Sequence, residues 1–200
     1  MGTRGLTGWI VNDKATANYQ QFDSYPSGVG SDIVEFIVKI NKKKNKTKLW
    51  QKLKDNCLKV KEVGDTKPTK EDIKMYAKFS NTGVSTQSLN DWYCLLRELQ
   101  GSKTLDAILD GDLKHIDNSI DFIKDSLFCE YAYLINLDTM TLDFYIGFQK
   151  EPQKENRFGM NRDKEYYPCK LAKSFPLADI EDADSVVDEM DEITQKEDAE

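Results

Sequence analysis

Apolar positions change their period several times along the chain, and each change marks an expected element. Residues 6–11 read as a strand, 12–14 as a tight turn and 15–22 as a returning strand. A polar stretch, 23–30, follows. Ile33, Phe36, Ile37 and Ile40 then recur at i, i+3, i+4 and i+7, which predicts a helix that Ser31 or Asp32 can cap. Leu49, Trp50, Leu53 and Cys57 form the apolar face of a second helix. The run VGDTKP interrupts the pattern, and Thr69 with Asp72 resembles a capping box that opens a helix to about residue 79. Leu89, Trp92, Leu96 and Leu99 predict another helix with Gly101 as its stop, and a shorter one covers 105–109.

Period-two alternation returns at Tyr131, Tyr133, Ile135 and Leu137. It turns near Asp138 and Thr139, then resumes through Leu142, Phe144 and Ile146, the pattern of a β-hairpin. YYPCKLAKSFPL reads as a last short strand. Hairpins at both ends with a helical segment over about 42–126 predict an α+β fold: a mostly antiparallel sheet covered by helices.

Charge divides the chain. Residues 179–200 hold eleven acids and one lysine, so 1–178 hold 27 Lys and Arg against 24 Asp and Glu. We therefore expect one α+β domain over 1–178 and an acidic tail over 179–200. Self-repulsion favours disorder there, although ADSVVDEMDEI has the spacing of a short amphipathic helix. Such a tail solubilises, or docks on a protein partner. Ten lysines lie between Lys39 and Lys61. That segment lacks arginine, and Trp50 belongs to its apolar face, so a solvated helix is expected there rather than a nucleic-acid surface.

The four cysteines are 37, 35 and 40 residues apart, and the single histidine, His115, is remote in sequence from all of them. Without close ligand pairs no metal or other cofactor is expected, and the thiols read as small buried hydrophobes. DLKHIDN gives His115 no partner nucleophile. The longest apolar runs are a few residues and no leader pattern opens the chain, so we expect no membrane span and a cytoplasmic protein.

The candidate binding surface is QFDSYPSGVGSD. Its residues suit a plain turn, with Pro26 fixing φ and Gly28 and Gly30 supplying positive φ. The same atoms suit a ligand. Glycines admit close backbone approach, and a helix start near Ser31 offers free amides to an anion. Ser24, Tyr25, Ser27, Asn18 and Gln21 add neutral hydrogen bonds, and Asp23 can hold a hydroxyl or an amino group. Arg4 would supply positive charge if the first strand brings it near. Glu130, Arg97 and Arg157 read chiefly as surface charges, with Glu130 kept as a further candidate.

MGTRGLTG, YQQFDSYPSGVG, STQSLNDWYCLLRELQG, SLFCEYAYLINLDTMTLDFYIGFQ and YYPCKLAKSFPL occur in that order over about residues 1–178. Together they resemble a family of uncharacterised phage, bacterial and fungal proteins that share GTRGL and DSYPSG. The resemblance implies no activity. It implies that a virus or its host encodes such chains, with host cytoplasm as the site in the viral case, and that the acidic tail is a variable addition. The opening strand, hairpin, polar loop and helix also look like the start of N-terminal-nucleophile amidohydrolases, whose terminal amine serves as base. Removing Met1 would expose Gly2, so Thr3 is the candidate catalytic residue only after a further cleavage. The expected function is a non-catalytic binder of a small polar or nucleotide-like ligand, in a phage setting one that sequesters a host signalling molecule. The alternatives are an amidohydrolase using Thr3 and an interaction module using the acidic tail.

Overall fold

The computed structural model describes residues 2–83, 88–99, 101–162 and 165–198. In chain order it contains β1 (Gly5–Val11), β2 (Lys14–Gln20), a π-helical turn (Pro26–Gly30), α1 (Ser31–Asn41), α2 (Lys46–Cys57) and β3 (Lys61–Glu62). These are followed by α3 (Lys70–Tyr76), α4 (Trp92–Leu95), α5 (Ser102–Asp110), β4 (His115–Ile116) and a 3-10 turn (Ile120–Lys124). β5 (Tyr131–Asn136), β6 (Thr141–Ile146), β7 (Lys170–Pro176) and α6 (Ala183–Asp198) complete the chain.

The main sheet has the order β2-β1-β5-β6-β7. Its neighbours are antiparallel except β1 and β5, whose parallel pairing joins the two hairpins. β1 is therefore an interior strand, buried along its whole length. The β1–β2 turn places Asn12 and Asp13 at φ 52° and 60°, the mirror-image turn that matches strand twist. One face of the sheet, carrying Trp9, Tyr133, Ile135 and Phe144, packs against Ile33 and Ile37 of α1, Leu53 of α2, Leu105 and Ile108 of α5, and Met190 of α6. Opposite them, Leu6, Ile10, Ala17, Ala132, Leu134 and Tyr145 meet Ile123, Cys129 and Cys169 from irregular segments. All four cysteines are buried thiols, and burial raises the pKa of Cys57, Cys94 and Cys129.

Trp50, Leu53 and Cys57 are core residues, and the lysines of α2 surround them at the surface. The capping box before α3 is present: the Thr69 hydroxyl accepts from the Asp72 amide, and the Asp72 carboxylate accepts from the Thr69 amide at 2.9 Å.

Three sequence expectations are corrected. The helix expected around Leu89–Leu99 is a single turn, α4, which the Asp91 side chain caps by accepting from the Cys94 amide. Part of the expected span, residues 84–87 and 100, lies outside the described residues. Gly101 does not stop that helix; at φ 55° and ψ −137° it precedes α5, whereas Gly111, at φ 87°, ends α5 in the left-handed conformation. The acidic tail is not disordered from 183 to 198. It forms α6, with Met190 fully buried and Val186 and Val187 nearly so. Ala183, Val186, Val187, Met190 and Ile193 make one apolar stripe that lies in the same core as α1. Asp182 caps the helix by accepting from the Ser185 amide, and Lys170 and Lys173 of β7 pair with Glu197 and Glu189. Burial of the stripe and basic neighbours outweigh the repulsion that favoured disorder.

Asp138, at the tip of the β5–β6 hairpin, accepts from the Asp13 amide and from Lys54 of α2, both at 2.9 Å. The Asp13 amide and then the Lys54 ammonium lower its pKa to about 2. A carboxyl depressed on folding stabilises the fold above its ordinary pKa and loses that contribution as pH falls toward the depressed value. Denaturant unfolding followed between pH 4 and about 2 is expected to show declining stability, with a shallower decline in Asp138→Asn. Equal pH slopes for the two proteins would refute this role.

Candidate functional site

The loop nominated by sequence is a closed turn. Its amides are used internally: Ser24 donates to the Thr3 carbonyl at 3.2 Å, Val29 to Asp23 at 2.8 Å, and Gly28 to Tyr25 at 3.0 Å. The Ser31 amide returns to the carbonyls of Pro26 and Gly28, so the turn runs directly into α1 and presents no free helix start. Neither Ser31 nor Asp32 caps α1. The glycine reading is corrected as well. Gly28 has φ −103° and Gly30 φ −55°, while Asp23 carries the positive φ of 55°. The glycines matter because the chain itself comes close: an added Cβ would lie 2.2 Å from the Asp23 carbonyl at Gly28 and 2.9 Å from the Tyr133 hydroxyl at Gly30. Ser24 is fully buried, with its carbonyl accepting from Tyr133 at 2.9 Å, while Asp23, Tyr25 and Ser27 are exposed.

Other nominated residues do converge, around the outer edge of β2. The Tyr19 hydroxyl donates to Gln21 at 2.8 Å. Burial raises the pKa of Tyr19, and the adjacent Arg4 guanidinium opposes that shift. Arg4 lies over the Phe128 ring, and its amide donates to Glu130 at 3.3 Å. Asn18 lines a cleft between β2 and the segment carrying α4, with Tyr19, Trp92, Tyr93 and Arg97 beside it and Leu99, Thr104, Leu113, Ile116, Asp117 and Ser119 completing the walls. The 118–119 segment closes part of the strand edge, since the Ala17 amide donates to Asn118 and the Ser119 amide to the Ala17 carbonyl.

The orientation of Asn18 is settled by its partners. Its amide nitrogen donates to the Leu99 carbonyl at 2.7 Å and to the Thr104 hydroxyl at 3.0 Å. A carbonyl only accepts, so the nitrogen must be on that side and Oδ1 is left as an acceptor. Asn18 Oδ1 is buried without a hydrogen-bond partner among the described residues, and so is Trp92 Nε1. Trp92 is 7% exposed, and its indole can only donate. An unmet donor and an unmet acceptor thus belong to two residues that line one cleft, and each costs about 1–3 kcal/mol if left unpaired. Thr7 lies opposite Asn18 in the β1–β2 register, and Gln20 pairs with Gly5. Thr7 Oγ1, Gln20 Nε2 and Ser24 Oγ are likewise buried without partners, and Thr7 and Gln20 share Asn18's face of the sheet.

The cleft's cavity volume is about 50 Å³, against about 640 Å³ for the depression over Asp143 and 460 Å³ beside Trp50. Unmet polar groups, not volume, single it out. In the larger depression the buried Asp143 carboxylate already accepts from Thr141 at 2.8 Å, Ser174 at 2.7 Å and Asn136 at 3.1 Å. Arg97 stands over the Tyr93 ring at 5.1 Å. Asp117 is exposed at the mouth, and partial burial of its carboxyl, followed by the charge of Asp91, raises its pKa. Behind the cleft the Trp92 ring meets those of Tyr76 and His115, centroids 6.0 and 5.4 Å away, and the Tyr76 hydroxyl bonds His115 Nδ1 at 3.1 Å. This aromatic packing fixes the indole from behind.

Sequence reasoning placed Trp92 on an apolar helix face and missed Tyr19, Tyr93 and Asp117. The available signal was the indole N–H, which usually finds a partner when buried. Thr3, the nucleophile candidate, is half-buried and accepts the Ser24 amide, while Arg157 pairs with Asp13. Among the described residues no cluster of His, Cys, Asp and Glu could hold a metal ion, and no helix is long and apolar enough to cross a membrane. No family model, curated protein or solved structure matches the chain.

Proposed function

We propose that this protein is a non-catalytic binder of a small polar or nucleotide-like ligand, seated at the β2 edge in the Asn18–Trp92 cleft. The observation that carries this reading is that Asn18 and Trp92, whose Oδ1 and Nε1 atoms are buried without partners, both line one cavity. Native proteins pair nearly all such groups, and exceptions mark places where a ligand, ion or water completes the set. Tyr19 and Tyr93 add aromatic surface, and Arg97 adds a cation. Hydrogen bonding, stacking and charge are what these side chains supply.

Calorimetric and thermal-shift titration of the full chain with mono-, di- and cyclic nucleotides and small amides tests the reading. Binding should raise the melting temperature in proportion to ligand occupancy, and Trp92→Phe should weaken it by about tenfold, the effect of losing one buried hydrogen bond. A folded sample that binds nothing in that panel defeats the proposal.

A further inference from the structure

We infer that a second pocket, beside the β3–β4 pair, holds a phosphate group, either inorganic phosphate or the monoester end of a small molecule. It is lined by Lys59, Lys61, Lys114 and His115 with Asn56 and Leu113, and shares only Leu113 with the cleft, so it does not rest on the cleft reading. Pairing of two distant segments creates it. Lys61 lies opposite His115 in the parallel register, and the Lys61 amide donates to the Lys114 carbonyl at 2.9 Å. Successive strand residues face opposite ways, so Glu62 and Ile116 turn to the other side. There Ile116 enters the core and Glu62 pairs with Lys14 at 2.7 Å. The one acid of β3 is thereby kept off the face that carries Lys61.

The result is local positive charge in a chain of formal net charge −7. Lys59, Lys61 and Lys114 are exposed and have no ion pair among the described residues, and no described carboxylate lines the pocket. Nearby acids are engaged elsewhere, Asp112 with Lys78 and Asp72 with the Thr69 cap. The larger depressions differ: Lys54 beside Trp50 already pairs with Asp138, and the cations over Asp143 are accompanied by that residue and Glu155. The Lys59 ammonium lies 3.5 Å from the Asn56 side-chain oxygen, which puts it at the pocket wall.

His115 adds a directional donor. The Lys114 amide donates to the Tyr76 hydroxyl oxygen at 3.0 Å, and that hydroxyl bonds His115 Nδ1 at 3.1 Å. An amide only donates, so the Tyr76 proton is the one shared with Nδ1, and the neutral ring carries its own proton on Nε2. Nε2 has no hydrogen-bond partner among the described residues, and the side chain is 27% exposed. Three ammoniums and one N–H call for an anion with several acceptors. A planar carboxylate is best matched by the fork of an arginine, which the pocket lacks, whereas separate lysine point charges suit a tetrahedral oxyanion. Its volume, about 230 Å³, is below the range of about 300–1,000 Å³ that encloses drug-sized ligands, so it takes the anionic group and not a whole nucleotide.

The chain's single histidine makes the test direct. Its ring signals are followed by NMR in the labelled full chain, at constant pH and ionic strength, during titration with inorganic phosphate, glycerol phosphate, chloride, acetate, adenosine and a short oligothymidylate. The expected result is a saturable shift with the first two, a weaker one with acetate and none with chloride. Replacing Lys61→Gln and Lys114→Gln together should weaken phosphate binding by about tenfold, two exposed ion pairs being lost. The comparison of anions uses the unmodified chain and stands whatever the variant does. The inference is overturned by the lack of a saturable shift with phosphate, by equal binding of acetate, or by unchanged affinity in the folded variant. An equal shift with adenosine also overturns it, because His115 would then be reporting the cleft through its contact with the Trp92 ring. A shift with oligothymidylate alone would assign the lysines to a nucleic-acid backbone instead.

Discussion

Removal of residues 179–200 is expected to destroy cooperative unfolding rather than detach an accessory arm. Met190 is fully buried, Ile180 is 1% exposed, and both share one core with Ile33, Ile37, Tyr133 and Phe144. Truncation would strip that cover from α1 and from the sheet. The Asn41 side chain, which donates to the carbonyls of Leu177 and Ile180 at 2.7 and 2.9 Å, would lose one of its two acceptors. The measurable outcome is a broad, low-enthalpy calorimetric transition with dye-accessible apolar surface. A milder form of the experiment is Met190→Ala, where a deleted buried side chain costs about 2–5 kcal/mol. In a chain of this length that corresponds to a fall of about 4–20 °C in Tm. Neutralising the exposed Glu181 should change little by comparison. A truncated chain that melts sharply at the parent temperature would show that α6 is dispensable.

Asp143→Ala is expected to be the most damaging single polar substitution in the sheet. The carboxylate is 4% exposed and collects donors from three strands: Asn136 on β5, Thr141 on its own strand β6, and Ser174 on β7. Alanine would remove this acceptor from all three, although the Thr141 hydroxyl also bonds that of Thr139 at 2.8 Å. Asn136 retains its other work, since its oxygen accepts from the amides of Asp138 and Thr139 at the hairpin turn. Thr141 is half-buried and Ser174 exposed, so both can recover hydration. The net loss should be about 1–3 kcal/mol, the cost of leaving the one fully buried donor, the Asn136 amide nitrogen, unpaired. Asp143→Asn keeps an acceptor and should lose less. Denaturant midpoints rank the three proteins, and an alanine variant as stable as the parent would contradict this account.

These two effects mark the limits of local pattern. The N-terminal hairpin was legible because Asn12 and Asp13 tolerate positive φ between two alternating runs, and the C-terminal hairpin because its aromatic and β-branched residues alternate. The Thr69–Asp72 box and the helix of Ile33, Phe36, Ile37 and Ile40 were legible for the same reason: each signal lies within about two turns of chain. The acidic helix was misread because its charge is local while the surface that receives its apolar stripe belongs to residues 150 positions away. The binding loop was misread because glycine, proline and serine signal a turn equally well whether its amides face solvent or return to its own carbonyls.

Asn18 illustrates both sides. It was nominated as a polar residue near a candidate loop, and it does line the cleft, but beside Trp92, 74 positions away in sequence. The amino-acid sequence by itself determined the helices α1, α2, α3 and α5, both hairpins, one cap and the lysine-lined face of α2, since hydrophobic period and turn chemistry are short-range properties. The tertiary structure alone decided that β1 pairs in parallel with β5, that the acidic segment completes the core, and that Asn18 and Trp92 line one cleft with Asn18 Oδ1 and Trp92 Nε1 unpartnered. Those facts depend on which distant groups meet and which stay unpaired, and that is settled only when the whole chain is packed.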